Sequence, residues 1–545
     1  MSILGLFDIG KSALFASQAA LSVTSNNIAN VNTPGYSRED IVLDIANPVT
    51  TSAGSVGRGV TTGGIVRSYD QFLEAQLLGS QQDQGRSAAM DQAWGQIEPV
   101  FNEQQGLGLA QPLADFFNAW NDVATNPDSQ VPRTVLLQKA ASLTSSAKTI
   151  ENAITSSLKS TNDGIAAAAG QINQIASDIA SLNSRITQVE AGTSGVTAND
   201  LRDQRDAKLT DLAKLVDFTS YEDNTGSLTV VVGMRNLVAG TRTNTMTSAL
   251  DSSGDRSVTL DGVNITSTVQ GGQLGGMIAS RNDIENNALT PLRRLVASVT
   301  QQVNTLHQQG FGLDGSTGND FFSPLQLTTV NHSAAASISS VITNQSALTL
   351  DEYTVSFSGG NYTVTDKQTG TAVASGAYNP AGTAIALSGM NLTISGAVTN
   401  ADSIFVSPLT TAVSGFQSAL TDPSQVAASS TAAGVPGDNA NAIAITQLTS
   451  APMADLGSTT FSDFYSGLVS TVGAMKSSTA DSLTFNNNLM TDIQNRRDSV
   501  SGVSLDEEAA NLLKYQRSYE AGARVISVAD QLLQDVLNMG SSAAY

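Results

Sequence analysis

Cysteine is absent from all 545 residues, which excludes a disulfide framework and any cysteine-ligated metal. Histidine is nearly as scarce: His307 and His332 are the only two. Neither sits in a zinc spacing such as HExxH, so no metal site is expected. There is no GxSxG elbow and no GxxxxGK[ST] phosphate loop, and Gly57-Arg58-Gly59 falls far short of a dinucleotide fingerprint. The chain therefore offers no catalytic residues and no cofactor site, and is read as a protein that is not an enzyme. Basic residues are short as well, 27 against 48 acidic, for a formal charge of −21. Phosphate neutralisation needs clustered Lys and Arg, so nucleic acid is excluded as a partner, and the same charge disfavours anionic lipid. No apolar run reaches the ~18 residues of a membrane-spanning helix, so no membrane insertion is expected. Residues 1–10 carry no basic residue and Asp8 interrupts their apolar run, which makes a poor signal peptide. Export, if it occurs, takes another route. Aromatics are few, while small and polar residues abound, a composition suited to helices packed through small side chains and to loop-rich β-structure.

What is present is concentrated at the two ends. In residues 504–539, Leu505, Leu512, Tyr519, Ile526 and Leu533 recur every seven positions. Tyr515, Ala529 and Val536 fill companion positions three residues on, which makes a heptad seam. Ser504 followed by Glu507 reads as a capping box, and the acidic run Asp506-Glu507-Glu508 is explained by the helix dipole rather than by calcium. Near the other terminus Phe7, Leu14, Leu21 and Ile28 also fall seven apart, in a helix expected from near Ser2 to Asn30. It stops at Asn32-Thr33-Pro34-Gly35, where Pro34 disfavours helix and Gly35 readily takes positive φ. A helix of about 35 residues is roughly 50 Å long, and so narrow an apolar stripe requires partner helices.

Between the ends the periods alternate. Residues 36–45 read as extended and the glycine-rich run 54–64 as a loop or hairpin; helices follow at 69–102 and 112–124, with Trp94 and Trp120 assigned to the core. From 134 to 189 two rows, Ile165/Ile172/Ile179/Ile186 and Ala168/Ile175/Leu182/Val189, give four heptads of coiled coil. A break at 191–195 precedes a helix from Asn199 whose run Asp200-Leu201-Arg202-Asp203-Gln204-Arg205-Asp206 reads as a solvated face with local ion pairs. Strand signals then appear at 228–232, 236–239, 258–260 and 263–269, followed by a helix at 274–307 that Pro291 should kink. A second series covers 353–357, 362–365, 371–374, 383–387, 392–394 and 404–406, its first pair a hairpin around Ser358-Gly359-Gly360-Asn361. Helices return at 439–448 and 461–495.

The fold class that follows is α + β, multidomain and elongated. Paired N- and C-terminal coiled-coil helices (1–33 with 504–545) form an assembly domain, and 34–216 with 273–318 and 431–503 a mostly helical rod. Two inserted β-rich domains occupy 217–272 and 319–430.

The run Ser25-Asn26-Asn27-Ile28-Ala29-Asn30-Val31-Asn32-Thr33-Pro34-Gly35-Tyr36 resembles the amino-terminal signature of the axial proteins of the bacterial flagellum, the family of rod, hook and hook-associated proteins. Leu512-Leu513-Lys514-Tyr515-Gln516-Arg517-Ser518-Tyr519-Glu520-Ala521 is similar to its carboxy-terminal signature. Tyr36-Ser37-Arg38, Val56-Gly57-Arg58-Gly59-Val60, Tyr69-Asp70-Gln71-Phe72, Asp203-Gln204-Arg205 and Gly437-Asp438-Asn439 look like the hook-associated members at the hook–filament junction. The resemblance is weakest through 322–430. It implies a structural subunit, outside the cell on the flagellum, that forms a homo-oligomer in a short annular zone. The implied neighbours are the hook protein on one side and the next, filament-side hook-associated protein on the other. It also implies unfolded export through the flagellar type III apparatus, with a dedicated chaperone covering the C-terminal helix. Asn27, Asn30, Asn32, Thr33, Pro34, Gly35, Tyr36, Tyr515 and Gln516 carry the motif. The two heptad rows at 7–28 and 505–533 are the assembly interface in this reading. The alternatives are a hook or distal-rod protein, or a secreted adhesin or enzyme with axial-type ends whose activity would lie in 319–430.

Overall fold

The computed structural model describes residues 3–542 apart from 52–53, 104–105, 107, 193–195, 252–253 and 334. The expected helix start at Ser2, part of the break at 191–195 and the last three residues of the terminal domain lie outside them.

Helix α1 (Ile3–Asn30) closes where Thr33 N–H donates to the Asn30 carbonyl at 2.8 Å, and Gly35 turns the chain at φ +81°. Next comes an antiparallel ribbon. Strand β1 (Glu39–Ile45) pairs with β4 (Val60–Arg67), and β2 (Val49–Thr51) with β3 (Gly54–Val56) make its tip. The extended segment and the glycine-rich hairpin are thus two edges of one arm inside a stretch expected to be mostly helical. The arm lies along α1: Val60 N–H donates to Ser12 Oγ at 3.3 Å, and Gly59, at φ +94°, leaves no room for a side chain against Ile9 and Ser12.

Four helices follow, α2 (Gln71–Ile97), α3 (Ala110–Thr125), α4 (Gln130–Ala191) and α5 (Asn199–Leu215). Asp70 caps α2 by accepting from Phe72 and Leu73 N–H groups at 2.9 and 3.2 Å. At 62 residues α4 is about 93 Å long. Strands β5 (Thr219–Glu222), β6 (Leu228–Val232), β7 (Arg235–Ala239) and β8 (Arg242–Thr243) form one meander. A second is built from β9 (Met246–Leu250), β10 (Arg256–Leu260) and β11 (Val263–Asn264). The strand predicted at 263–269 ends early, because Asn264 Oδ1 accepts from Thr266 N–H at 2.9 Å and starts a turn.

The helix predicted at 274–307 is two, α6 (Gly272–Ile284) and α7 (Thr290–His307), joined by a π-helical turn at Glu285–Leu289. Proline has no N–H and its ring crowds the preceding turn, and the wider π turn just before Pro291 accommodates both defects.

Eight strands then build the larger β-region: β12 (Thr328–Asn331), β13 (Ala336–Ile342), β14 (Tyr353–Ser358), β15 (Asn361–Asp366), β16 (Ala372–Ala377), β17 (Thr383–Leu387), β18 (Met390–Gly396) and β19 (Ser403–Ser407). They form a five-stranded sheet, β12-β19-β14-β15-β16, and a three-stranded one, β13-β18-β17. The predicted hairpin is present, with Ser358 opposite Asn361 and both Gly359 and Gly360 at positive φ, +57° and +78°. Helices α8 (Ala440–Gln447), α9 (Phe461–Ser501) and α10 (Leu505–Ser542) complete the chain.

Burial falls into three cores. The helical one gathers the scarce aromatics: Trp94, Trp120, Phe116, Phe321, Phe322, Phe416 and Phe461. The larger β-region has its own, around Val355, Val364, Leu392, Ile404 and Val406. The third carries a correction. Ile165, Ile172, Ile179 and Ile186 are fully buried, but the first three share a core with Leu209 and Leu212 of α5 and with sheet residues such as Val230, Val238 and Met246. Val189, expected in the seam, is exposed. A heptad row states the period at which a helix buries its face; here much of the cover is sheet rather than helix.

Candidate assembly interface

Helices α1 and α10 pack antiparallel along the outside of the molecule, with Gly10 facing Ile526 and Gly522 facing Leu14. The contacts are reciprocal. A Cβ on Gly10 would lie 2.7 Å from Ile526 Cγ1, and one on Gly522 would lie 3.4 Å from Leu14 Cδ2. Each large apolar residue thus seats over a glycine on the opposite helix, and the backbones approach closely. Buried positions on α1 are Gly10, Ala16, Ser17, Ala20, Val23, Thr24 and Asn27; on α10 they include Gly522 and Ala529.

The predicted rows flank this seam. Phe7, Leu14, Leu21, Ile28, Leu512 and Ile526 are half-buried, while Leu505, Tyr519 and Leu533 are exposed. On α10 the buried positions are Gly522 and Ala529, three residues on from Tyr519 and Ile526, while at the equivalent positions Tyr515 is half-buried and Val536 exposed. Beyond it α10 presents Leu513, Val528, Leu532, Val536, Leu537 and Met539 to solvent, and α1 presents Leu4 and Phe15. A single chain thus leaves several large apolar side chains of its own terminal pair uncovered.

The signature residues lie where this pair meets the body. Asn27 is 1 % exposed and its amide faces Glu39: Nδ2 donates to the Glu39 carbonyl and Oδ1 accepts from the Glu39 N–H, both at 2.9 Å. The side chain thereby imitates a neighbouring β-strand, which only a primary amide can do. Tyr36 OH donates to the same Oδ1 at 2.8 Å. Burial, then Glu39 and the α5 carboxylates, push that hydroxyl up, so it keeps its proton. The Glu39 carboxylate accepts from Asn26 at 3.3 Å and from Asn199, the first residue of α5, at 2.8 Å. Asn30 accepts from Thr33 Oγ1 at 3.1 Å. Asn32, Thr33 and Pro34 form the exposed turn, Tyr515 is half-buried and Gln516 is exposed.

A charged cluster adjoins this joint. Arg67 of β4 bridges Asp203 and Asp206 of α5, and Asp203 Oδ2 also accepts from Ser37 N–H at 2.9 Å. Arg202 pairs with Glu190 at 2.9 Å and Glu222 at 2.6 Å, and Arg205 with Glu222, Asn183 and the Gly226 carbonyl. Arg205 is 2 % exposed. The solvated face expected at 200–206 is therefore a buried network tying the ribbon, α4 and β5 to α5. Burial holds Asp206 and Glu74 above the usual carboxylate range, with neighbouring carboxylates adding to it. On the far side Arg38 N–H donates to the Ser501 carbonyl at 2.8 Å, and Arg38 Nη1 to Glu507 at 3.0 Å. Glu507 is the residue expected to close the capping box; Ser504 accepts from its N–H at 3.5 Å, but its carboxylate turns to Arg38.

Sequence reasoning missed Asn26, Glu39, Arg67, Asn199 and Asp203 as site residues. The quoted signatures contain or adjoin them, but nothing local marks their burial. His307 lies in the aromatic core, and among the described residues no cluster of three or more His, Cys, Asp or Glu could hold a metal ion. No helix among them is long and apolar enough to cross a membrane.

Family models match in the same places. "Flagella basal body rod protein" covers residues 7–36 and "Flagellar basal body rod FlgEFG protein C-terminal" covers 495–539, spanning most of the two helices of the terminal pair. "Flagellar hook-associated protein FlgK helical domain" matches 94–322, and "Flagellar hook-associated protein 1, D2-like domain" matches 327–408, the region without a readable motif. The chain is 30% identical to flagellar hook-associated protein 1 of Escherichia coli K12 over 98% of its own length and 99% of the relative's. It is 26% identical to that of Bacillus subtilis 168, over 97% of each chain. Its fold is shared with the flagellar hook junction protein FlgK of Burkholderia pseudomallei, with a TM-score of 0.69 over 78% of this chain and all of that one, at 20% identity. With a full-length relative 30% identical and both terminal signatures folded into one pair, the chain belongs to the flagellar hook-associated protein 1 family.

Proposed function

We propose that the chain is a structural subunit of the bacterial flagellum that polymerises at the distal end of the hook and joins hook to filament. One observation carries the reading: α1 and α10 pair through a seam of small residues and leave the larger ones, Leu513, Val528, Leu532, Val536 and Leu537, facing solvent. A contiguous exposed apolar stripe of this kind marks an interaction site that neighbours cover. In this function the neighbours are further copies of the chain in a short annular zone, with hook protein beneath and the filament-side hook-associated protein above. The members of the rows Phe7–Leu14–Leu21–Ile28 and Leu505–Leu512–Tyr519–Ile526–Leu533 that the pair leaves uncovered line those contacts, while Leu14 and Ile526 seat against Gly522 and Gly10 within it. Before export the same stripe on α10 needs a chaperone to keep it from self-association. The helical core is the rod that carries the pair, and the two β-regions at 217–272 and 319–430 are its outer modules.

Electron microscopy of purified protein added to bare hooks tests this directly. Intact protein should add a short zone to the hook tip and let filament grow on it. Protein lacking α1 or α10 should keep its β-regions and helical core but fail to attach. Attachment by either truncated protein would overturn the proposal.

A further inference from the structure

Only two short segments, 31–38 and 502–504, connect the terminal pair to the body. Unbraced, they would act as a hinge. Several polar groups around them are instead held by partners in the same chain. Asn199 and Asp203 are four residues apart on α5, so they stand on one face of that helix. Asn199 Nδ2 donates to Glu39 Oε1 at 2.8 Å and to the Ile65 carbonyl at 3.1 Å. Asp203 Oδ2 accepts from Ser37 N–H at 2.9 Å while its other oxygen binds Arg67. Between them they hold both strands of the ribbon's base and the residue following the signature. Through Glu39 the chain of bonds continues to Asn27, deep in α1.

We propose that Asn199 and Asp203 are positioning residues: they lock segment 36–39 onto α5 and so fix the direction in which the terminal pair leaves the body. The amino-terminal signature is then largely an intramolecular joint, its Asn26, Asn27, Asn30 and Tyr36 spent inside the subunit, and contact with neighbouring copies falls to the apolar rows. Its importance for assembly rests on the function proposed above; the lock itself does not.

Hydrogen exchange of the full-length monomer, read by mass spectrometry over 36–41, tests the lock. In the intact protein this segment should be protected. Asn199→Ala, or Asp203→Ala, should speed its exchange by about tenfold or more, the scale set by a buried hydrogen bond. Exchange within α5 and the thermal melt of the body should stay unchanged, because Arg67 keeps Asp206 as a partner. Asp203→Asn, which retains an acceptor for Ser37 N–H, should keep most of the protection. Asp211→Ala, on an exposed position of the same helix, should change nothing. Unchanged exchange in both alanine variants, or protection of 36–41 that arises only after attachment to hooks, would overturn the lock. Failure of the intact protein to attach to bare hooks would instead remove the proposed function and leave the exchange result standing.

Discussion

His307 illustrates how a polar residue earns a place in an aromatic core. Its Nδ1 donates to the Asn319 carbonyl at 2.7 Å and its Nε2 accepts from Ala427 N–H at 3.0 Å, a pattern that only the neutral ring can make. Burial pushes its pKa from 6.5 down to about 4. As pH falls below 6.5 the unfolded chain takes up a proton while the folded chain holds out to about 4, so this site costs stability across that window. The slope is about 1.4 kcal/mol per pH unit. Glu74 and Asp206, held above the ordinary carboxylate range, act with the opposite sign: their contribution is present at acid pH and lost as pH rises through their raised values. Urea midpoints between pH 7 and 4 should therefore fall in the natural protein, and the curve should flatten in His307→Gln even as stability at pH 7 drops. Equal slopes in the two proteins would show that His307 is not the titrating group. At this scale the sequence was partly readable. Trp94 and Trp120 were assigned to the core and are fully buried. Asp203 and Arg205 were not recognised, because a helix window displays neighbours three or four residues away, whereas Asp203 bonds Ser37 and Arg67, 166 and 136 positions distant.

At the scale of elements, apolar period told where helices run but not what covers them. The stripes at both termini are real, yet the seam between α1 and α10 lies on Gly10 and Gly522, residues that count against a helix in any propensity scale. Close approach of the backbones supplies the reason for them, and it is visible only once the second helix is in place. Strands were missed for a related reason. Strand β13, at a sheet edge, reads ASISSVI and buries no residue fully, so its alternation is faint. The terminal pair separates two kinds of damage. Gly10→Val forces Ile526 out of its seat and should cost about 1–3 kcal/mol, the range for overpacking. Exchange in α10 should rise with it. Val528→Glu places a charge on the exposed row, where the lone chain should tolerate it, so exchange should stay as it was. Both variants should attach poorly to bare hooks, the first through loss of the pair and the second through loss of its outer face. Normal attachment by Val528→Glu would show that this face is not the contact.

On the scale of the whole molecule, charge and apolar contact oppose each other. Every copy carries a formal −21, and the proposed annular zone would bring copies side by side. The cations free to offset this between subunits are reduced, since Arg67, Arg202, Arg205, Arg281, Arg293 and Arg294 are already committed to acidic partners within the chain. At about 0.01 M salt the screening length is ~30 Å and like charges on adjacent subunits repel across the full width of a contact; at about 0.15 M it is ~8 Å. If apolar rows supply the attraction and charge only the barrier, attachment to bare hooks should speed up as salt is raised over that range. Sulfate at equal ionic strength should speed it further, because its exclusion from protein surface strengthens apolar burial. Counting tipped hooks by electron microscopy at fixed times checks both expectations. Slower attachment with rising salt would mean that the chain is drawn to a cationic face on the hook, with the exposed rows of α10 left to a later step.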